Sequence, residues 1–184
     1  MNKKNTAYLF NMYPELFKHR DNVRVSLMRF GFECGDGWFD LINNLCMKIE
    51  QWFNNNETND YDENRNVIGK STGVPGHFYV AQVKEKFGSL RFYVGAAPQA
   101  VHDMIHEAEN KSYYICEHCG MFAGFPGEPG YKSFYRDGLS WVLTLCDDCL
   151  KKHLDRKGLP FDDYVSDWQK EHNAPFVTNM GDKK

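Results

Sequence analysis

Four of the six cysteines fall into two pairs: Cys116 with Cys119 and, beyond residues 120–145, Cys146 with Cys149. Two C-x-x-C pairs at this separation suit one tetrahedral ion, because each pair closes a tight knuckle that presents two sulfurs. Gly120 follows the first pair directly, where a knuckle turns sharply and glycine accepts positive φ without steric cost. Four thiolates close the coordination shell, so the ion expected is a structural Zn2+; a catalytic zinc keeps an open position. His118 and His153 are near enough in sequence to replace a cysteine, His153 being the better placed. Disulfides are the weaker reading, since Met1-Asn2-Lys3-Lys4-Asn5 opens no apolar run of signal-peptide length. A thioredoxin-type pair usually opens a helix after a buried strand, whereas both pairs here enclose polar or acidic residues. Cys34 and Cys46 are left as free thiols.

Three other constellations carry possible chemistry. Glu33, Asp36 and Asp40 stand where a helix begins and would suit a divalent ion, although acids are also favoured there by capping and by the helix dipole. His102 and His106 have the spacing of a zincin helix, but Asp103 follows the first histidine where that motif has glutamate, and no third ligand is evident. Gly69-Lys70-Ser71 resembles the end of a phosphate loop without its leading glycine or its buried strand.

The elements that must position these residues follow from periodicity. Residues 7–53 read as an N-terminal helical part. Its clearest element runs from Trp38 through Leu41, Ile42, Leu45, Ile49, Trp52 and Phe53, apolar at intervals of three and four, with Asp36 placed to cap it. Residues 54–76 are polar and Asn-rich, a mobile loop by composition. Residues 77–95 form a β-hairpin turning at Phe87-Gly88-Ser89, with Leu90, Phe92 and Val94 inward. Its other face carries Lys84, Lys86, Arg91 and Tyr93. With Phe87 at the turn, and with Asp36 and Trp38 in the preceding Gly-rich turn, these are the candidate ligand-binding residues. The bland alternative is a solvated face whose lysines guard a sheet edge.

Residues 100–154 hold a second helix (Val101, Met104, Ile105, Ala108) and the zinc ribbon. Within the ribbon a Gly/Pro segment at 121–130 cannot be helix, and a strand in which Leu139, Trp141, Leu143 and Leu145 alternate with Ser140, Val142 and Thr144 delivers Cys146. Residues 155–184 read as a helix opened by Pro160, with Phe161, Tyr164, Val165 and Trp168 on one face, then a loose tail. The fold class is α+β: a single domain, 1–184, of two amphipathic helices packed on a small antiparallel β-sheet, with a zinc-ribbon-like C-terminal part.

The net charge of −3 gives no global pull toward nucleic acid, so such binding would need a local basic patch. A 42% hydrophobic content supports a packed core, and no apolar run is long enough to span a bilayer.

Four landmarks occur in order: Tyr13-Pro14-Glu15-Leu16-Phe17; Phe32-Glu33-Cys34-Gly35-Asp36-Gly37-Trp38-Phe39-Asp40-Leu41-Ile42; Gln82-Val83-Lys84-Glu85-Lys86-Phe87-Gly88-Ser89-Leu90-Arg91-Phe92-Tyr93; and the paired knuckles. Together they resemble a family of small zinc-ribbon proteins encoded by tailed bacteriophages and prophages. The resemblance spans residues from about 12 to 150 and departs from the family's shorter pattern in the Asn-rich loop, the inter-knuckle segment and the tail. It implies expression in a bacterial host's cytoplasm during infection or lysogeny, and it carries over no activity and no functional residue. The expectation is a non-enzymatic accessory protein that sequesters or inhibits a host factor, either a defence protein or a small signalling nucleotide. The alternatives are a metal-dependent enzyme on nucleic acid or nucleotides, using Glu33, Asp36 and Asp40, and a nucleic-acid-binding zinc-ribbon regulator.

Overall fold

The computed structural model describes residues 1–62, 64–123, 134–137 and 141–160, with backbone alone at 134–137 and at 141. By contact the chain divides into Met1–Cys149 and Leu150–Lys184; the described part of the second unit is the end of one helix. The helix expected after Pro160 and the loose tail lie outside the described residues, as does most of the Gly/Pro segment between the knuckles.

The fold is α+β. Helix α1 (Lys3–Met12) starts earlier than its apolar pattern implies, because the Asn2 side chain accepts from the Asn5 N–H and caps it. Helix α2 (Phe39–Asn55) is the long amphipathic helix, and it buries Ile42, Leu45, Cys46, Ile49 and Phe53. Each such side chain contributes roughly 1.5–3 kcal/mol by removal from water, as an upper bound. Helix α3 (Gln99–Ser112) turns Val101, Ile105 and Ala108 inward and packs on α2. His102 and His106 are exposed on its outer side.

Strands β1 (Thr58–Tyr61) and β2 (Val67–Ser71) make an antiparallel hairpin where composition implied only a loop. No buried face lies behind it to imprint an alternating pattern; β2 is exposed along its whole length. Polar side chains close it instead. Asp62 Oδ1 accepts from the N–H groups of Asn64 and Asn66, Asp62 Oδ2 accepts from Asn66 Nδ2, and Arg65 adopts φ 64°.

Strands β3 (Val80–Lys86) and β4 (Ser89–Val94) form the central hairpin, with Val80, Val83, Leu90 and Phe92 buried and Lys84 opposite Arg91. Both of its edges are occupied. Along β3, Leu27 N–H donates to Ala81 O, Glu33 N–H donates to Val83 O, and Glu33 O accepts from Glu85 N–H. Along β4, α3 supplies side chains: Ser112 Oγ accepts from Leu90 N–H at 2.8 Å, and Glu109 Oε1 accepts from Phe92 N–H at 3.0 Å. The edge groups of Glu85, Leu90 and Phe92 that could template another strand are therefore satisfied.

The ribbon adds β5 (Phe134–Asp137) antiparallel to β6 (Trp141–Thr144), followed by α4 (Asp147–Lys157). In β6 Thr144 is fully buried while Leu143 is half-buried. The Thr144 hydroxyl donates to the Gly88 carbonyl at the hairpin turn, which removes the cost of burying it.

Asp62→Ala should leave the melting temperature of the protein unchanged while speeding amide exchange at Asn64 and Asn66. Unchanged protection there would show that the β1–β2 turn does not depend on this carboxylate.

Candidate functional site

The first knuckle is a tight backbone turn. Cys116 N–H donates to Met121 O at 2.8 Å, Gly120 N–H donates to Cys116 O at 2.9 Å, and Gly120 sits at φ 79°. The second comes from the start of α4, where Asp147 and Asp148 favourably occupy the first turn and Cys149 follows. The four sulfurs of Cys116, Cys119, Cys146 and Cys149 lie within 4.8 Å of one another, with Cys119 and Cys146 at 3.5 Å. A tetrahedral ion with metal–sulfur bonds of about 2.3 Å needs sulfur separations of about 3.8 Å, so the group fits one such ion. Burial pushes the Cys116 thiol up to about 11 and raises that of Cys149 as well. Four adjacent thiolates in this setting call for a cation.

Neither His118 nor His153 is needed to complete the set. His118 instead places Nδ1 3.9 Å from Cys149 Sγ, where a ring N–H can donate to a thiolate.

The Gly-rich turn before α2 docks on this knuckle and is not a binding loop. Gly37 N–H donates to Glu117 O, Gly35 N–H donates to Glu117 Oε1, and Trp38 Nε1 donates to Ile115 O, each at 2.8 Å. A Cβ on Gly35 would strike the Glu117 carbonyl, and one on Gly37 would strike the Cys116 carbonyl. Burial pushes the Glu117 carboxyl up to about 7, against the pull of the Gly35 N–H. Trp38 is fully buried, so it is withdrawn from the ligand-binding set. Asp36 does not cap α2, which has no side-chain cap. It accepts from Asn2 N–H and Asn5 Nδ2 and so ties the start of α1 to this turn, and the Asn2 N–H holds its carboxyl below the usual range.

The proposed carboxylate site is not assembled. Glu33 Oε2 accepts from Gln82 Nε2 at 2.6 Å, Asp36 faces α1, and Asp40 lies exposed in the first turn of α2. The four cysteines are the one potential metal-holding group among the described residues.

On the hairpin the expected face is present in part. Lys84 Nζ lies 5.7 Å from the Tyr93 ring centre and Lys86 Nζ 5.2 Å from that of Phe87. Arg91 is committed elsewhere: its Nη1 donates to Ser89 Oγ at 2.6 Å and to Leu90 O at 2.8 Å, and it also bonds the Tyr113 hydroxyl. Phe87 stands at φ 55° beside Gly88 at φ 75° and is 66% exposed. Lys84, Lys86 and Phe87, with Glu33, Gln82 and Val142, line a cleft of about 440 Å³.

A larger cavity, about 740 Å³, escaped the sequence reading. Trp52 from the end of α2, Tyr61 from β1, Arg65 and Lys70 from the β1–β2 hairpin, and His77 and Tyr79 before β3 line it. Periodicity assigned Trp52 to the core, yet it is only half-buried; Tyr61, Arg65 and Lys70 come from the Asn-rich stretch, which carries no periodic signal, and His77 and Tyr79 from the start of the segment read as the β3–β4 hairpin. Tyr61 meets His77 edge to face at 5.0 Å between ring centres. Burial, aided by the Lys18 amine, holds the His77 imidazole below its usual value.

Compared with known proteins, the chain matches no family model, no curated protein and no solved structure. Among the described residues no helix is long and apolar enough to cross a membrane.

Gly37→Ala should destabilise the protein by on the order of 3 kcal/mol, because the added methyl meets backbone that cannot yield. Denaturant unfolding checks this, and a loss below about 1 kcal/mol would contradict tight docking of the turn on the knuckle.

Proposed function

We propose that a Zn2+ ion held by Cys116, Cys119, Cys146 and Cys149 is structural, and that the chain is a non-enzymatic binding protein. Its binding face is the tip and basic flank of the β3–β4 hairpin. The observation that carries this reading is Phe87. A bulky residue in the left-handed region costs about 1–2 kcal/mol, and a two-residue turn of this kind is ordinarily filled by Asn-Gly. Here a strained phenylalanine is held largely in solvent, with Lys84 and Lys86 beside it. An exposed aromatic anchor flanked by cations suits a protein partner with an apolar pocket and an acidic rim.

The rest of the hairpin supports a face-on contact, since edge groups on both strands, the N–H groups of Glu85, Leu90 and Phe92 among them, are already engaged and impede strand addition. The four landmarks resemble those of a phage-encoded family, which supports a host factor in an infected bacterial cell as the partner and the host cytoplasm as the setting. The enzyme alternative loses its motivation with Glu33, Asp36 and Asp40 facing different partners. A nucleic-acid regulator is disfavoured because Glu33 shares the cleft with Lys84 and Lys86.

Phe87→Asn should raise stability by about 1 kcal/mol by relieving the left-handed strain, and should at the same time abolish capture of the partner from bacterial lysate. Lys86→Ala should weaken capture without changing stability. An identical set of captured proteins for the wild type and both variants would overturn the assignment of this face. Elemental analysis of the purified chain under reducing conditions should give one zinc per chain, lost in Cys116→Ser; a metal-free folded chain would remove the structural ion.

A further inference from the structure

The 740 Å³ cavity has the size of a small-molecule site and is built from residues other than those of the Phe87 face. Its walls combine two kinds of chemistry. Trp52, Tyr61 and Tyr79 offer flat π surfaces, on which any nucleobase can stack irrespective of its hydrogen-bonding edge. Arg65 and Lys70 offer two cations on an exposed hairpin, and neither has a carboxylate within ion-pair distance among the described residues.

Asp62 also lines the cavity, but its oxygens are taken by the two amides and the side chain within its own turn. Those bonds, with the Arg65 N–H donating to Asp62 O at 3.0 Å, accompany the left-handed conformation of Arg65. Glu57, the remaining acid, can accept from the amino and hydroxyl groups of a nucleoside. An aromatic cage for a quaternary ammonium would use the same rings, but two cations on its wall would repel that ligand.

We propose that this cavity binds a nucleotide, with the base against the aromatic wall of Trp52, Tyr61 and Tyr79 and the phosphate on Arg65 and Lys70. The site stands independently of the hairpin face, so the failure of either leaves the other intact.

Isothermal titration calorimetry on the full chain with its metal tests the assignment, using AMP, GMP and cyclic di-AMP, with adenosine and ribose 5-phosphate as the two halves. At least one nucleotide should bind and quench tryptophan fluorescence, and each half should bind at least tenfold more weakly. Lys70→Gln and Arg65→Gln, both at exposed positions, should each weaken the nucleotide at least tenfold with no change in melting temperature, and Trp52→Leu should remove the quenching. Lys111→Gln, a solvent-exposed lysine on α3, should bind as the wild type does. The proposal is overturned if none of the three nucleotides binds, or if binding is the same in Lys70→Gln and Arg65→Gln as in the wild type. Equal weakening by Lys111→Gln would also overturn it, since the attraction would then be general charge.

Discussion

Backbone lies directly on backbone where Gly35 and Gly37 meet the first knuckle, with no room for a side chain on either. Glu117, placed between Cys116 and Cys119, reaches both glycines, one through its carboxylate and one through its carbonyl, and its own N–H donates to Thr144 O at 2.8 Å. The metal knuckle is therefore a structural partner of the N-terminal part. It fixes the entry of α2 through Trp38, whose indole N–H ends on Ile115 just ahead of the first cysteine. A knuckle without its ion would lose the geometry that these amides address.

From that junction the central hairpin inherits its setting. The segment around Glu33 runs along β3, α3 satisfies the amides of β4, and Thr144 of the ribbon bonds the carbonyl of Gly88 at the turn. The turn is thus held from behind while its aromatic residue faces outward. Strain at a loop tip persists only where the surroundings over-determine it, and here the surroundings are a ribbon strand and a complete hairpin ladder. The landmark residues that give the chain its resemblance have mainly this scaffold role. Tyr13, Leu16, Phe17, Phe32, Trp38, Val83, Leu90 and Phe92 are all buried.

Neither candidate binding region is lined by any of the four clustered cysteines. One is the Phe87 tip with its lysines; the other is the aromatic and basic cavity bounded in part by β1–β2 in the Asn-rich stretch. Binding residues carried on loops over a packed scaffold can change without altering the core.

The sequence by itself determined the features that depend on spacing or period. The two C-x-x-C pairs named the sulfur cluster, the three-and-four pattern named α2 and α3, and the alternation in Leu90, Phe92 and Val94 named the inward face of β4. Such patterns are legible because one local geometry produces them. What only the tertiary structure decided concerns residues whose role is set by a distant neighbour. Asp36 is an α1 tie and not an α2 cap because Asn2 and Asn5 reach it; Arg91 is spent because Ser89 and Tyr113 lie beside it; Thr144 is buried because Gly88 O is in range. The β1–β2 hairpin was hidden because turn-forming Asp62 and its asparagines look like any polar loop until their hydrogen bonds close. The large cavity was hidden because its walls come from four segments that share no period.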